Sequence, residues 1–244
     1  MLRLHGFLYS PPSRACWTLS KILKLDFDFV EVNAWKQEND ASTFRALNPT
    51  GTIPVLQDGE LTLTQSHTIL RYLSTAYANG AWYAKNNPIE EAKVNAKLDW
   101  QLLRLRPSIA QLLRFDRIRG SSLVEPPSVS VQSLVGKAEG DSPQATLDEA
   151  LSIMDTDLAT SEFLVGSDPS IADLSAACEI EQVTLEHSGV VSRHENIKRW
   201  LKQIRTISEF ADAHADLPKQ HEEIVASTEK GSLLSRLRTG AIDT

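Results

Sequence analysis

Apolar and polar positions in the first third of the chain follow strand periods and helix periods in turn. Leu2, Leu4 and Leu8 lie on one face of an alternating run, which predicts a first strand. Asp58-Gly59 separates two short apolar runs and predicts a hairpin. The pattern predicts helices at 15–23 and 41–47 and a third helix with its apolar stripe at 69–77, and further strands at 26–32, 53–56 and 61–64. The order β-α-β-α-β-β-α, with a proline opening the third strand, fits a thioredoxin-type sheet.

The remainder of the chain has a helical pattern throughout. Leu98, Leu102, Leu105, Ile109 and Leu112 recur on one face of a long helix, in which Pro107 is expected to cause a kink. A loop is predicted at 120–143 and no strand is predicted beyond residue 64. Further helices are predicted near 144–160, 170–187, 195–215 and 217–237.

These elements predict two domains of different class. An α/β, thioredoxin-like domain at 1–79 is followed by a linker at 80–87 and by an all-α helical-bundle domain at 88–244. The linker prediction rests on Asn87 and Pro88, which form a helix start. Thr64 is a candidate N-cap, and Ser170 with Asp173 forms a capping box that we expect to be a folding element.

Composition narrows the classes of function. The 244-residue chain carries a formal charge of −7, which argues against a general nucleic-acid binder. No apolar run is long enough to cross a bilayer, and no secretory signal is evident. The two cysteines favour reduced thiols in the cytoplasm. No Cys and His cluster has zinc spacing, so no metal is expected.

Three short stretches carry possible chemistry. The stretch LYSPPSRACW contains Ser10, Ser13 and Cys16 where a strand meets a helix, and the residues alone leave open which of them acts. The stretch TQSHTIL opens a helix, whose free N–H groups and positive dipole end suit an anion or only need a cap. Pro54 follows a turn and could be cis or an edge-strand proline.

Four separated stretches resemble the cytosolic glutathione transferases, most closely their theta-like and delta-like, serine-type classes. The first is Ser10, Pro12, Arg14 and Ala15 in the pattern Ser-x-Pro-x-Arg-Ala. The others are NPTGTIPVL at 48–56, LTQSHTILRYL at 63–73 and FLVGSDPSIADL at 163–174. Their order and spacing agree with the family over nearly the whole chain. The resemblance implies this family's two-domain fold, with glutathione as co-substrate.

The resemblance also implies a glutathione site. Pro54 is expected to be cis, with Ile53 offering main-chain groups to the cysteinyl part of glutathione. Gln65 and Ser66 match the positions that hold the γ-glutamyl group. The remaining members of the implied site are His67, Asn39 and Thr52. His67 is expected to be an exposed helix residue, and Asn39 and Thr52 depart from the family's usual choices near the glycine carboxylate.

The catalytic residues implied by the family are Ser10 and Arg106. Ser10 would stabilise the glutathione thiolate, since a free thiol with a pKa near 8.5 is only a few per cent ionised at pH 7. Arg106, six residues after Trp100, would add charge. Ser13 is expected to cap the first helix and Cys16 to be packed. Arg14 is expected to be structural or to lie at a dimer interface.

Three functions remain open at this point. The first is a detoxifying transferase that joins glutathione to a small hydrophobic electrophile, with peroxidase or dehalogenation as side activities. The second is a zeta-like, glutathione-dependent isomerase, although Ser13-Arg14-Ala15-Cys16 does not match its Ser-Ser-Cys motif. The third is a non-catalytic interaction module. The family further implies a cytoplasmic homodimer whose C-terminal tail, from about residue 217, folds over the site as a lid.

Overall fold

The N-terminal half forms one mixed four-stranded sheet. The computed structural model describes residues 1–84, 87–120 and 142–227, with backbone alone at 114–120. The sheet order is β2-β1-β3-β4, where β1 pairs in parallel with β2 and antiparallel with β3, and β3 and β4 form an antiparallel hairpin. The strands are β1 Leu2–Gly6, β2 Phe27–Glu31, β3 Val55–Asp58 and β4 Leu61–Thr64.

Three helices connect or follow these strands. They are α1 Pro11–Ile22, α2 Ser42–Leu47 and α3 Ser66–Ala78. Two 3₁₀ turns, Ala34–Lys36 and Glu38–Asp40, lie between β2 and α2. The order β-α-β-α-β-β-α therefore confirms the predicted thioredoxin-like fold of this half.

The second half consists of helices, and the described residues beyond Thr64 contain no strand. The helices are α4 Pro88–Trp100, α5 Arg106–Gly120, α6 Pro143–Leu158, α7 Ile171–Glu186, α8 Glu195–Ile204 and α9 Ser208–His214, with a π-helical turn Gln101–Leu105 between α4 and α5. A further helical segment occupies 217–227. The loop predicted at 120–143 falls almost entirely outside the described residues.

Helix α7 is the centre of the molecule. Every residue from Ile171 to Ile180 is buried, as expected of a helix surrounded by other elements. Its apolar side chains belong to the same core as Leu4 of β1 and Leu19 of α1. The thioredoxin-like half and the helical half therefore share one continuous hydrophobic core along the α1–α7 contact.

The start of α7 is held by the predicted capping box. The Ser170 hydroxyl accepts from the Ala172 N–H at 3.2 Å, and the Asp173 carboxylate accepts from the Ser170 N–H at 2.9 Å. The same buried carboxylate accepts from the Leu164 N–H and from the Trp200 indole, each at 2.8 Å. Asp173 therefore joins three parts of the helical half and acts as a folding element.

The long helix departs from its predicted apolar face at one point. Leu98, Leu105 and Ile109 are buried, but Leu102 is 47% exposed. The π-helical turn Gln101–Leu105 adds a residue to one turn and so rotates the following side chains relative to a regular α-helix. Pro107, which lacks an N–H, follows this turn directly, and the kink expected there stays a prediction.

Two other helix predictions need correction. The helix predicted at 195–215 is two helices, because α8 ends at Ile204 and α9 begins at Ser208. Thr206 and Ile207, which separate them, are β-branched and so have low helix propensity. Thr64 is not an N-cap: it ends β4, and Gln65 precedes the first residue of α3.

Within 1–84, 87–120 and 142–227, no helix is both long and apolar enough to cross a bilayer.

Replacing Asp173 with alanine is expected to lower the free energy of unfolding by about 3–5 kcal/mol, because buried N–H and O–H donors lose their acceptor. Asp168→Ala, at an exposed position of the preceding turn, is the matched control, with an expected change within about 0.5 kcal/mol. Urea unfolding followed by far-ultraviolet circular dichroism measures both. Equal stability of the two variants would contradict the role given to Asp173.

Candidate functional site

The first helix begins directly after Ser10. Ser10 is its N-cap residue, with φ −81° and ψ 119°, and prolines occupy the first helical positions. The backbone of Ser10 is fixed, because its N–H donates to the Phe7 carbonyl at 2.8 Å and its carbonyl accepts from the Arg14 N–H at 3.0 Å. Within the described chain the half-buried hydroxyl makes no capping bond. It is therefore available to a ligand at a positive helix terminus.

Ser13 and Cys16 do not share this accessibility. Ser13 lies inside α1 and is buried, so the prediction that it caps the helix is wrong: the N-cap is Ser10. The Cys16 thiol is buried and donates to the Ser66 carbonyl at 3.6 Å. Burial, followed by the neighbouring Cys178, raises the pKa of Cys16 well above its usual value. Cys16 is therefore a packed thiol, as expected, and has little thiolate character.

The loop before β3 and the start of α3 supply the next part of the site. The Ile53–Pro54 peptide bond is cis, as expected from the family pattern. Gln65 has φ 70°, a conformation that is uncommon for a residue with a side chain. Such backbone strain concentrates at functional positions. The helix starts at Ser66, so this residue and its neighbours present the positive end of α3.

His67 differs from its prediction as an exposed residue. It is buried, and its Nε2 lies 2.9 Å from Gln101 Oε1 and 3.0 Å from Ser175 Oγ. Burial lowers the pKa of His67 to about 4, and the charges of Arg71 and Arg106 act in the same direction. The ring joins α3 to the helical half instead of facing solvent. The expectation that His67 is exposed is therefore wrong, and its part in the implied glutathione site stays a prediction.

Asn39 and Thr52 are held in one network of hydrogen bonds. Asn39 Nδ2 donates to the Gly51 carbonyl at 2.9 Å, and Thr52 Oγ1 lies 2.9 Å from Thr50 Oγ1. Asn48 Nδ2 also donates to Thr52 Oγ1 at 3.1 Å. These bonds fasten the 3₁₀ turn Glu38–Asp40 to the loop that leads to Pro54. One N–H of Asn39 and much of the hydrogen-bonding capacity of Thr52 are already used within this network.

Arg106 lies at the border of the two halves. Its Nε is 3.6 Å from Glu179 Oε1, and the arginine side chain is 37% exposed whereas that of Glu179 is 6% exposed. Burial raises the pKa of Glu179, an effect that Arg106 and Arg14 oppose. Arg106 also contributes to the lowered pKa of His67. The π-helical turn therefore brings this cation beside α7 and α3.

Arg14 has a more central position than its sequence pattern indicated. The side chain is 0% exposed, which excludes it from a dimer interface. Its guanidinium donates to the carbonyls of Leu8, Tyr9 and Cys178, at 2.8, 2.9 and 3.0 Å. It also donates to Gln182 Oε1 at 3.0 Å and to His214 Nε2 at 3.1 Å. Arg14 thus joins the end of β1 to α7 and α9. Of the two roles predicted for it, structural or at a dimer interface, the structural role is the one observed.

The C-terminal segment contacts the residues that precede Ser10. Leu217 packs with Phe7 and Tyr9, and the Tyr9 hydroxyl lies 2.9 Å from His221 Nδ1. The rings of Tyr9 and His221 stack with centroids 6.2 Å apart. The described part of the tail, 217–227, therefore packs against the residues that lead into Ser10, and the lid itself stays a prediction. The basic LLSRLR stretch at 233–238 lies outside the described residues. The sequence gives no sign of the contact between Tyr9 and His221, because the two residues are 212 positions apart along the chain.

Two buried histidines should make the fold sensitive to acid. Burial is the main reason that the pKa values of His67 and His214 fall to about 4 and about 3, below the unfolded value near 6.5. The unfolded chain therefore binds more protons below pH 6.5, so stability is full above that pH and falls as pH drops toward 4. We expect a loss of about 1–2 kcal/mol per histidine at pH 5.

Denaturant unfolding between pH 4 and 7 measures this loss. The variant His67→Gln, His214→Gln keeps hydrogen-bonding groups but cannot titrate, so its stability should vary less over the same range. If parent and variant lost the same stability between pH 7 and pH 5, the assignment of the acid sensitivity to these rings would be wrong.

Comparisons with known proteins identify the family. The models for the glutathione S-transferase N-terminal domain and C-terminal domain match residues 4–81 and 123–207. Glutathione S-transferase T1 of Arabidopsis thaliana is 32% identical over 95% of both chains. Human glutathione S-transferase theta-1 is 30% identical over 87% of both. The solved apo structure of human glutathione-S-transferase T1-1 superposes with a TM-score of 0.76 at 27% identity, covering 90% of each chain. The chain is a member of the glutathione S-transferase family.

Proposed function

We propose that this chain is a glutathione transferase in which the Ser10 hydroxyl holds the glutathione sulfur as a thiolate. The observation that carries this proposal is the Ser10 hydroxyl at the N-terminus of α1, which makes no capping bond to any residue that the structure describes. The thiolate attacks an electrophilic carbon of a small hydrophobic molecule, forms a carbon–sulfur bond and displaces a leaving group such as halide. Two buried, free cysteines are compatible with a cytoplasmic location for this activity.

Ser10 must favour the thiolate by a definable amount. Lowering the pKa of a thiol by about two units requires roughly 2.7 kcal/mol of preferential stabilisation of the charged form. A hydroxyl that donates to a charged sulfur supplies about 1.5–3 kcal/mol, and a helix N-terminus adds about 0.3–1 kcal/mol. The two effects together are of the required size. We propose that Arg106, whose side chain is 37% exposed, adds positive charge to the site.

The rest of glutathione fits the elements that surround Ser10. The strained Gln65 and the start of α3 at Ser66 suit the γ-glutamyl carboxylate, because N–H groups there lack helical acceptors. The main chain of Ile53, before cis Pro54, suits the cysteinyl backbone. For the glycine carboxylate we propose the second N–H of Asn39, with Thr52 as a supporting residue. His67 contributes by holding α3 and not by direct contact.

The expected assembly is a homodimer. Leu102 and Leu103, which the π-helical turn directs outward, are 47% and 50% exposed. Leu61 on β4 and Tyr77 on α3 are also exposed, so each half of the chain carries apolar surface. We propose that Leu102 and Leu103 of one copy pack against the β4–α3 surface of a second copy. This arrangement would bury side chains that are otherwise costly to leave in water.

Ser10→Ala is expected to raise the pKa of the bound thiol by about 1–2 units, because the charged sulfur loses its donor. At pH 6.5, kcat/KM with an activated aryl halide should fall about 10- to 100-fold. Glutathione titration followed by tryptophan fluorescence should give a Kd within about threefold of the parent value. Ser10→Thr, which keeps a hydroxyl, should retain more activity than Ser10→Ala.

Ser13→Ala is the matched control, since it removes a buried hydroxyl three positions further along the same helix and should leave turnover unchanged. Turnover of Ser10→Ala at the parent rate would show that Ser10 is misassigned. Glutathione binding by the parent without turnover of aryl halides or hydroperoxides would instead favour the isomerase or the non-catalytic module. Absence of glutathione binding would overturn the proposal.

The double change Leu102→Glu, Leu103→Glu is expected to convert the dimer to a monomer, because two charges per chain would have to be buried at the interface. Sedimentation velocity across a range of concentrations measures the change. Ile153→Glu, at a similarly exposed apolar position on α6, is the control and should remain dimeric. A parent protein that is monomeric at every concentration would refute the proposed interface.

A further inference from the structure

The guanidinium of Arg14 is a buried charge that is neutralised by no direct carboxylate partner among the described residues. Its five acceptors are three main-chain carbonyls, the Gln182 amide oxygen and a histidine nitrogen. Buried arginines are usually paired with a carboxylate, because desolvation of an unpaired charge is costly. An arginine that is satisfied only by neutral groups keeps an electric field that an ion pair would cancel.

This charge lies next to the backbone that leads into Ser10. Arg14 is one helical turn after Ser10, and its N–H donates to the Ser10 carbonyl at 3.0 Å. Its guanidinium contacts the carbonyls of Leu8 and Tyr9, the two residues that precede Ser10. The guanidinium charge and the positive end of α1 are therefore both close to Ser10.

The nearby ionisable groups leave this field largely intact. Glu179 is paired with Arg106, and Glu181 accepts from Arg205 at 2.6 and 3.1 Å. His214 is neutral, because its Nδ1 donates to the Phe210 carbonyl while its Nε2 accepts from Arg14. Burial raises the pKa of the Cys178 thiol to about 12, so it carries no charge near neutral pH. Each carboxylate that acts on Arg14 thus has another arginine closer to it.

We propose that Arg14 is a positioning residue whose buried charge, acting through space, helps Ser10 to keep bound glutathione ionised. The proposal rests on the proposed function, because it needs a thiolate at Ser10. A buried charge is screened little by salt, so its effect reaches across several ångströms of protein. In this proposal Arg14 does not touch the sulfur. It fixes the carbonyls of Leu8 and Tyr9, and its positive charge favours the ionised form of a thiol bound at Ser10.

The test is Gln182→Glu, which places a carboxylate against the guanidinium at the same hydrogen-bonding position. The new ion pair should leave the fold as stable as the parent or more stable, but it should weaken the field. We expect the pKa of the bound thiol to rise by about 0.5–1 unit. The ultraviolet absorbance of the thiolate, titrated against pH at saturating glutathione, gives this pKa, and glutathione affinity is measured separately by fluorescence.

Two controls separate charge from packing. Gln182→Met removes the hydrogen bond without adding charge, so stability should fall while the thiol pKa stays within about 0.2 units of the parent. Gln144→Glu adds the same charge at the start of α6, away from Arg14, and should leave the thiol pKa unchanged. A purely structural Arg14 predicts the reverse order, in which Gln182→Met changes the site more than Gln182→Glu does.

The outcomes are distinct from those that test Ser10. If Ser10→Ala raises the thiol pKa but Gln182→Glu leaves it within about 0.2 units of the parent, the Arg14 inference is wrong and the proposed function stands. If Gln182→Glu does not fold, the double variant Arg106→Met, Glu179→Gln is used instead. It removes a negative charge that acts on Arg14, so it should strengthen the positive field that Gln182→Glu was meant to weaken. A thiol pKa below that of Arg106→Met alone supports the inference, and an equal value overturns it.

Discussion

The contact between α1 and α7 is the constraint on which the other parts of the site depend. Arg14 crosses this contact and binds the carbonyls of Leu8 and Tyr9 on one side and of Cys178 on the other. These bonds tie the segment between β1 and α1, which contains Ser10, to α7 of the helical half. The position of Ser10 therefore depends on the helical half. A thioredoxin-like sheet without α7 would leave this guanidinium with fewer acceptors, so the site requires both halves of the chain.

The π-helical turn Gln101–Leu105 is the second such constraint, and it acts on both faces of the same helix. One added residue turns Gln101 inward to His67 and turns Leu102 outward. The turn also sets the direction of Arg106, which follows it immediately and reaches Glu179. A regular α-helix would place these side chains at different angles around the helix axis. The single π-helical turn therefore determines three features together: the contact of Gln101 with His67, the position of Arg106 and the exposure of Leu102.

The parts that sequence could predict are those whose causes are local. The hairpin at Asp58-Gly59 and the capping box of Ser170 and Asp173 are decided by neighbouring residues, and both are present. Thr64 and Ser13 show the limit, because a hydroxyl near a helix start resembles a cap whether or not the backbone places it there. The burial of His67 and the contact of Tyr9 with His221 depend on groups far along the chain, so no periodicity in their own neighbourhood could indicate them.

The charges around α1 also connect acid stability with the chemistry proposed for Ser10. His214 accepts from Arg14 only while it is neutral, since a protonated ring would set a second cation against the guanidinium. The burial that lowers the pKa of His214 also shields Arg14 from solvent, and no carboxylate of the described residues binds the guanidinium directly. A carboxylate in place of Gln182 or His214 would raise the stability of the fold by pairing with Arg14. The same carboxylate would weaken the positive field that we propose Arg14 exerts at the thiolate. The neutral acceptors around Arg14 therefore leave the fold less stable than an ion pair would, but they preserve the positive charge that we propose favours the thiolate at Ser10.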